Sequence, residues 1–291
     1  MSETFPPQPW RLRGQMYVAL WQVPARRLPG WRLPPGVRPL GWRERRAVVT
    51  FWVDYRHGGT LAYRELLVAL AVRDGHGPAG CAVEAWVDDD RSLAGGRELW
   101  GIPKQPAVFA FTTGRHRGRT RRPRLFTGLA SPVSPGGAPD GHAGPWPPAP
   151  PVPSAPGVPP VPPAPGVPSM PSVPSVPPAP SAPGVPDAGP AEDTGRWAAE
   201  ASSGRVGVVQ RDVLRFPVRL RLGSRLVQPY RDGVCAVPMR LSGTVCLARA
   251  RLAAVPDGPL GYLAGRRPLA AVTLHDFTAT VGTADGGGPP S

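Results

Sequence analysis

The chain has 291 residues, including 44 prolines and 36 glycines, and its 34 Lys plus Arg outnumber its 20 Asp plus Glu to give a formal net charge of +14. This length is typical of one large domain or two small ones. No apolar run approaches the length of a membrane-spanning helix, and residues 1–7 lack the apolar segment of a signal peptide, so we expect a cytoplasmic protein with no membrane partner.

The first 112 residues are rich in short apolar segments that favour strands. Residues 61–73 (LAYRELLVALAVR) are apolar on both parities, which is typical of a strand buried on both faces, although Ala and Leu also favour a helix. A short helix is predicted over residues 91–99, because the acidic residues 88–90 complement a helix N-terminus. Lys104 is then expected in the following loop. The other predicted strands are residues 15–23, 47–55, 80–87 and 107–112.

A proline-rich segment interrupts this pattern. Residues 131–190 hold 24 of the 44 prolines, in near-repeats with almost no charge. Such a segment cannot bury enough apolar surface to offset the entropy of ordering, so we expect a disordered insertion. The predicted organisation is a first part of one domain (1–130), an insertion (131–195), the second part of the same domain (196–281) and a flexible tail (282–291).

Strands are again predicted after the insertion. Residues 213–222 (VLRFPVRLRL) alternate apolar residues with Arg, the pattern of a half-exposed strand, and residues 234–238, 243–255 and 269–281 continue the series. Many strands with few helices predict a mostly β (α+β) fold built on an antiparallel sheet.

The basic residues are densest at residues 115–124, RHRGRTRRPR. This cluster lacks interleaved aromatic residues and any known nucleic-acid-binding pattern. We interpret it as a solvated hairpin loop and expect no specific nucleic-acid partner.

Cysteine and histidine spacing predicts no metal centre. Cys81, Cys235 and Cys246 are far apart in apolar segments, and an odd count without a Cys-x-x-Cys motif argues against a disulfide framework and a zinc site. The five histidines show no metal-ligand spacing. We therefore expect no metal and no cofactor.

The chain contains one lysine, Lys104, beside 33 arginines. Guanidinium stays protonated in proteins, whereas a buried ammonium can lose its proton and become a nucleophile. A lone lysine between Pro103 and Pro106, which restrict the backbone around it, is a candidate for amine chemistry. The alternative is a solvated lysine in a chain whose composition favours Arg.

The segment that holds this lysine, GRELWGIPK at residues 96–104, resembles the Gly-Arg-Glu-Leu-x-Gly-x-Pro-Lys signature of the acetoacetate decarboxylase family. The resemblance implies that Lys104 forms a Schiff base with a keto acid, and that the fold is a β-barrel with flanking helices and a pocket inside. The sequence departs from the family at two positions. Gln105 replaces a second lysine, and Gln15 aligns with an N-terminal arginine, with Arg13 two residues earlier.

Glu65 is the second candidate catalytic residue. A carboxylate inside a strand buried on both faces is costly unless it is paired or protonated, and such groups cluster at functional sites. Tyr63-Arg64-Glu65 is also similar to a Tyr-x-Glu setting of the family. An ionised Glu65 beside Lys104 would oppose formation of the neutral amine. Glu65 is therefore either protonated at rest or meets the substrate rather than the amine, and we expect the second, with Glu65 as a proton carrier at the substrate α-carbon. The alternative is an edge position where Glu65 faces water and pairs with Arg64 or Arg73.

Other substrate-binding candidates are Arg97, Tyr63, Trp100 and Gln15, and Tyr17 is a candidate for the wall of the pocket. Arg97 could hold a substrate carboxylate through two hydrogen bonds. An ion pair with the adjacent Glu98 is the alternative for that arginine.

These residues predict a Schiff-base-forming lyase acting on a small keto acid, with decarboxylation favoured. The alternatives are aldolase or dehydratase chemistry on pyruvate-like substrates through the same lysine, and a non-catalytic ligand-binding barrel. We expect a homo-oligomer. The insertion has proline-rich runs that resemble ligands of aromatic-lined grooves, although a passive spacer is the simpler interpretation.

Overall fold

The computed structural model of the protein describes residues 5–115, 124–133, 205–231 and 233–283. These residues form eleven strands, one α-helix and two 3₁₀ turns, Ala25–Arg27 and Gly261–Leu263. The elements are β1 (Trp10–Pro24), β2 (Arg38–Pro39), β3 (Gly41–Trp42), β4 (Arg45–Tyr55), β5 (Arg64–Asp74), β6 (Gly77–Val87), α1 (Asp90–Trp100), β7 (Lys104–Arg115), β8 (Arg124–Pro132), β9 (Val206–Tyr230), β10 (Gly233–Ala253) and β11 (Ala270–Val281).

All eleven strands belong to one sheet, in the order β2-β5-β6-β7-β8-β9-β10-β11-β1-β4-β3, and β4 also pairs with β5. That extra pairing closes β5 to β11, β1 and β4 into a ring of nine strands. Neighbouring strands of the ring are antiparallel except β6 and β7, which run parallel and are connected through α1. The prediction of a mostly β fold is confirmed, with a single α-helix among the described residues.

The strand predictions agree with the structure in position more than in length. The segment predicted over residues 61–73 forms a strand, β5, which begins at Arg64, rather than a helix. β9 and β10 are each longer than the segments predicted there. The predicted loop around Lys104 is wrong, because this residue is the first of β7. The helix prediction is confirmed as α1.

Local signals in the sequence explain where α1 begins and ends. The side chain of Asp89 accepts a hydrogen bond from the Ser92 N–H, 2.8 Å away, which caps the first turn. At the other end Gly101 has φ +64°, and the N–H groups of Gly101 and Ile102 donate to the carbonyls of Arg97 and Gly96, each at 3.0 Å. This is a glycine cap of the αL type, in which the N–H of Gly101 bonds to the carbonyl four residues earlier. It ends the helix, and β7 starts three residues later.

Several predictions fall outside the described residues. The proposed insertion and its boundaries lie mostly within residues 134–204, the basic loop within 116–123, and most of the tail within 284–291. The division into 1–130, 131–195, 196–281 and 282–291 therefore stays a prediction. Within the part of the chain that the structure describes, no helix is both long enough and apolar enough to cross a membrane.

Candidate active site

The side chain of Lys104 is buried, with 2% of the residue exposed. Its Nζ lies 2.9 Å from Glu65 Oε1 on β5, and it donates a 2.9 Å hydrogen bond to Ser92 Oγ on α1. The hydroxyl of Tyr63 lies 3.4 Å from Nζ. The aromatic rings of Tyr63 and Trp10 are 5.0 and 5.9 Å from the same atom, within the range in which an aromatic face attracts a cation. The amine is therefore enclosed by a carboxylate, two hydroxyls and aromatic surface.

Glu65 is 4% exposed and bridges the amine to a second tyrosine. Its Oε2 accepts a 3.1 Å hydrogen bond from Tyr55 OH. Burial, and then the negative charge of Glu65, raise the pKa of Tyr55 and of Tyr63 well above the ordinary value for a phenol. Both phenols are therefore protonated donors at neutral pH. The direct contact between Glu65 and Lys104 differs from the expectation that this carboxylate meets only the substrate.

The first glycine of the lysine motif makes room for the lysine stem. Ser92 and Gly96 are one turn apart on α1, so they present the same face to β7. A Cβ atom on Gly96 would lie 2.6 Å from both Cδ and Cε of Lys104. Because carbon atoms cannot approach that closely, any larger residue at position 96 would displace the side chain that carries the amine.

Arg97 is bound to the backbone of the lysine rather than to the amine. Its Nε and Nη2 donate to the carbonyl oxygen of Lys104 at 2.8 and 2.5 Å. This interaction fastens the end of α1 to the start of β7, so the structure assigns Arg97 a positioning role. Substrate binding by Arg97 stays a prediction.

Gln15 lies on the other face of the sheet from Glu65, and substrate binding by Gln15 stays a prediction. On β4, Asp54 pairs with Gln15 of β1, and the neighbouring Val53 pairs with Glu65 of β5. Adjacent residues of a strand point to opposite faces of the sheet, so Gln15 and Glu65 are on opposite faces. Gln105 is exposed on β7 and, as the neighbour of Lys104 in that strand, also points away from the amine.

Trp100 and Tyr17 do not contact the amine directly. Trp100 donates from Nε1 to Gln8 Oε1 at 3.0 Å and packs edge-on against Trp10, with ring centroids 4.7 Å apart. It therefore supports the ring that faces Lys104. Tyr17 stacks on Phe126 on the same side of the sheet as Gln15.

A second buried polar cluster surrounds His275 on β11. Its Nδ1 lies 2.8 Å from Gln15 Oε1, and its Nε2 lies 2.6 Å from Asp212 Oδ2. The amide of Gln15 is oriented by its donation to Asp276 Oδ1 at 2.8 Å, and Thr273 Oγ1 donates to Asp212 Oδ1 at 2.6 Å.

A cavity of about 270 Å³ adjoins this second cluster, with Gln15, Tyr17, Arg56, Phe126, His275 and Asp276 in its wall. Lys104 and Glu65 are not part of that wall. The predicted pocket residues Gln15 and Tyr17 thus line a cavity, but one on the other face of the sheet from Glu65.

Sequence reasoning missed several residues around the amine. Ser92 could have been found from its spacing, because it lies four residues before Gly96 on the predicted helix. Tyr55 and Trp10 carry no such signal, since they approach Glu65 and Lys104 only through pairing between strands. Asp212, Cys246 and His275 were missed for the same reason.

Comparisons with known proteins agree with these observations. Residues 2–127 match the sequence model of the acetoacetate decarboxylase family. No curated protein matches the sequence with statistical significance.

Two solved structures resemble the chain over most of its length. The enduracididine biosynthesis enzyme MppR complexed with pyruvate has 16% identity and a TM-score of 0.52, covering 97% of this chain and 91% of MppR. Acetoacetate decarboxylase from Legionella pneumophila subsp. pneumophila str. Philadelphia 1 has 12% identity and a TM-score of 0.50, covering 96% of this chain and 87% of that enzyme. The resemblance is therefore confirmed: the chain carries the sequence pattern of the acetoacetate decarboxylase family over residues 2–127 and has an acetoacetate decarboxylase-like fold.

Proposed function

We propose that the protein is an enzyme, a carboxy-lyase whose Lys104 forms a Schiff base with a small keto acid. The observation that carries the proposal is the environment of the amine. The only lysine of the chain is buried, and its Nζ contacts Glu65, Ser92 and Tyr63. A solvated structural lysine would not need this set of proton donors and acceptors.

Glu65 is suited to release the nucleophile. Burying an ion pair removes both charges from water, which costs free energy. Transfer of one proton from Nζ to Oε1, across 2.9 Å, leaves a neutral amine and a carboxylic acid. Burial removes the hydration of both charges, so this neutral pair becomes accessible from the resting ion pair. Glu65 thereby acts as the base that produces the reactive amine, a role different from the one expected from the sequence.

That proton then serves the dehydration step. Nζ attacks the ketone carbon to give a carbinolamine, and protonated Glu65 donates its proton to the carbinolamine hydroxyl, which leaves as water. In the resulting iminium of a β-keto acid, the bond to the carboxylate breaks and its electron pair forms an enamine as carbon dioxide leaves. Protonation of the enamine carbon consumes a second proton, which Glu65 takes up from solvent and passes on, or which Tyr63 donates before solvent reprotonates it. Hydrolysis to the product ketone follows.

Gln15 and Gln105, the two departures from the family pattern, are weak arguments against decarboxylation because of where they lie. Gln105 is exposed, and Gln15 is on the other face of the sheet from Glu65. Neither residue contacts the proposed reacting atoms, so their identity leaves the iminium chemistry unaffected.

Aldolase or dehydratase chemistry through Lys104 is the second candidate. The observation that favours it is the similarity in fold to a structure that is complexed with pyruvate. With a pyruvate-like substrate the same iminium is deprotonated at carbon, and the enamine adds to an aldehyde. Headspace analysis separates the candidates: acetoacetate should release carbon dioxide and acetone. Formation of an enone from pyruvate and an aldehyde, without gas from acetoacetate, would favour the second candidate.

Borohydride trapping tests the Schiff base itself. The protein is incubated with acetoacetate or pyruvate, and borohydride then reduces any imine that has formed. Mass spectrometry measures the mass of the intact protein. Because the N-terminus is the only competing amine, Lys104→Arg is a matched control that keeps the charge. We expect one adduct per chain, absent from the control. An adduct of equal yield in Lys104→Arg, or none with either acid, would contradict the proposal and favour a non-catalytic binding protein.

We also propose that the proline-rich residues 131–195 are a spacer. Strands β8 and β9, on either side of this segment, pair antiparallel from Leu125 with Arg211 to Ala130 with Val206. The chain therefore leaves β8 and enters β9 on adjacent, paired strands, at Ala130 and Val206. Replacing residues 134–204 with a short Gly-Ser linker should leave the melting temperature and the trapping yield unchanged. Loss of folding would show that the segment is structural.

The expected cytoplasmic homo-oligomer also stays a prediction. Light scattering on the purified full-length protein measures its mass directly, and a monomer at all concentrations would contradict it.

A further inference from the structure

We propose that Asp212, Cys246 and His275 form a binding site for a zinc ion, separate from the lysine site. One ligand atom of each residue lies within 4.8 Å of the others. The three residues come from the neighbouring strands β9, β10 and β11. Cys246 pairs with Thr273, two residues before His275, and Asp212 pairs with Ala248, two residues after Cys246. Because side chains alternate along a strand, this spacing puts all three on one face.

Irregular pairing helps these side chains converge. The register of β9 against β10 shifts between Leu247, which pairs with Leu214, and Ala248, which pairs with Asp212. Val213, the neighbour of Asp212, is therefore the extra residue of a bulge in β9. The register of β10 against β11 shifts between Ser242 and Thr244. Such bulges redirect the side chains next to them and are common beside functional sites.

The donor set is one that zinc prefers. Thiolate, imidazole and carboxylate bind zinc at about 2.3, 2.0 and 2.1 Å in tetrahedral sites, which puts ligand atoms roughly 3 to 4 Å apart. The separation of 2.6 Å between His275 Nε2 and Asp212 Oδ2 would have to widen by roughly 1 Å to admit the ion.

Hydrogen bonds already orient two of the three proposed ligands, His275 and Asp212. His275 Nδ1 is held by the carbonyl oxygen of Gln15, whose amide is fixed by Asp276, and the second oxygen of Asp212 accepts from Thr273. A ligating histidine in known sites almost always donates its other ring N–H in this way, which orients the ring toward the metal.

The fourth position of a tetrahedral ion would be open to a small ligand. His275 lines the cavity of about 270 Å³, together with Gln15 and Asp276. Water or an anionic ligand can occupy this space, as in zinc sites with three protein ligands.

Cobalt spectroscopy tests the proposal on the full-length protein. After dialysis against a chelator, the untagged protein is titrated with Co²⁺, which gives a near-ultraviolet charge-transfer band only when a thiolate is bound. We expect one equivalent to bind and Zn²⁺ to displace it. Cys246→Ser should lose the band, whereas Cys235→Ser, on the same strand and only partly buried, should keep it.

A second variant keeps the proposal testable if Cys246→Ser fails to fold. Gln15→Ala leaves all three ligands in place but removes the acceptor of His275 Nδ1, and should weaken cobalt binding by about 10- to 100-fold. A wild-type protein that gives no thiolate band would overturn the proposal. A band of equal intensity in Cys246→Ser would also overturn it.

Discussion

The two buried polar clusters are built in opposite ways. The Lys104 cluster takes three of its determinants, Ser92, Gly96 and the lysine, from one continuous segment of 13 residues (92–104) that forms a capped helix and the start of a strand. The His275 cluster takes Gln15, Asp212, Cys246 and His275 from four different strands. The first is therefore visible as a sequence motif, and the second appears only when the strands are paired.

Removing the carboxylate of the lysine cluster should have the largest effect on stability. In Glu65→Ala the ammonium stays buried without its counter-ion, so we expect a loss of about 3 to 5 kcal/mol in the free energy of unfolding. Urea denaturation measures it. Glu98→Ala, at an exposed position of the same motif, is the control and should change stability by less than about 0.5 kcal/mol. Equal stability of the two variants would show that the ion pair is not formed.

Removing the carboxylate of the second cluster should cost less. Asp212 is more exposed than Glu65, with side-chain exposures of 13% and 5%. Solvent therefore compensates part of the loss in Asp212→Ala, and we expect about 2 to 3 kcal/mol in metal-free protein. The exposed Asp257→Ala is the matched control. Urea denaturation measures the free energy of unfolding of both variants. A greater loss in Asp212→Ala than in Glu65→Ala would contradict the expected ranking of the two clusters.

Gly96→Ala tests whether the motif glycine is needed by the amine. The added methyl would lie 2.6 Å from the lysine stem, so we expect a loss of about 2 kcal/mol and slower borohydride trapping. Gly30→Ala, where an added Cβ meets nothing within 4 Å, should leave both unchanged. Normal trapping in Gly96→Ala would mean that the amine reacts from a different position.

Glu84 is a third carboxyl that can be compared with Glu65 and Asp212. Unlike those two, its polar partners among the described residues are neutral hydrogen-bond donors. It accepts hydrogen bonds from Trp31 Nε1 and Tyr262 OH at 3.1 and 3.2 Å, and burial raises the pKa of its carboxyl to about 7. The folded state therefore favours the protonated form, and this contribution to stability is present below pH 4 and is lost as the pH rises through 7.

Glu84→Gln should remove that pH dependence. We expect the variant to gain about 1 to 2 kcal/mol relative to the wild type between pH 5 and pH 8, a value reduced because Glu84 is partly exposed. Thermal or urea unfolding across this range measures it, with the exposed Glu44→Gln as control. Parallel pH profiles of Glu84→Gln and wild type would show that Glu84 is ionised in the folded protein.

Much of the fold was predictable because the signals act over a few residues. Short apolar segments marked β4, β6 and β11, and the acidic residues before α1 marked its first turn. The boundaries were harder, since β9 and β10 extend beyond the apolar segments through pairing with their neighbours. Lys104 was expected in the loop between the predicted helix and the strand predicted from residue 107, yet parallel pairing with Ala85 places it in β7.

The sequence by itself determined the reactive candidate, Lys104, and the local geometry that holds it. The residue that caps α1, the glycine that leaves room for the lysine stem and the glycine that ends the helix all lie within about 15 residues of Lys104. Only the tertiary structure decided which distant residues share its environment. Pairing between strands placed Glu65 and Gln15 on opposite faces and assembled Asp212, Cys246 and His275. The physical reason is that a shift of one residue in strand register exchanges the two faces of a strand, and the sequence of one strand does not fix that register.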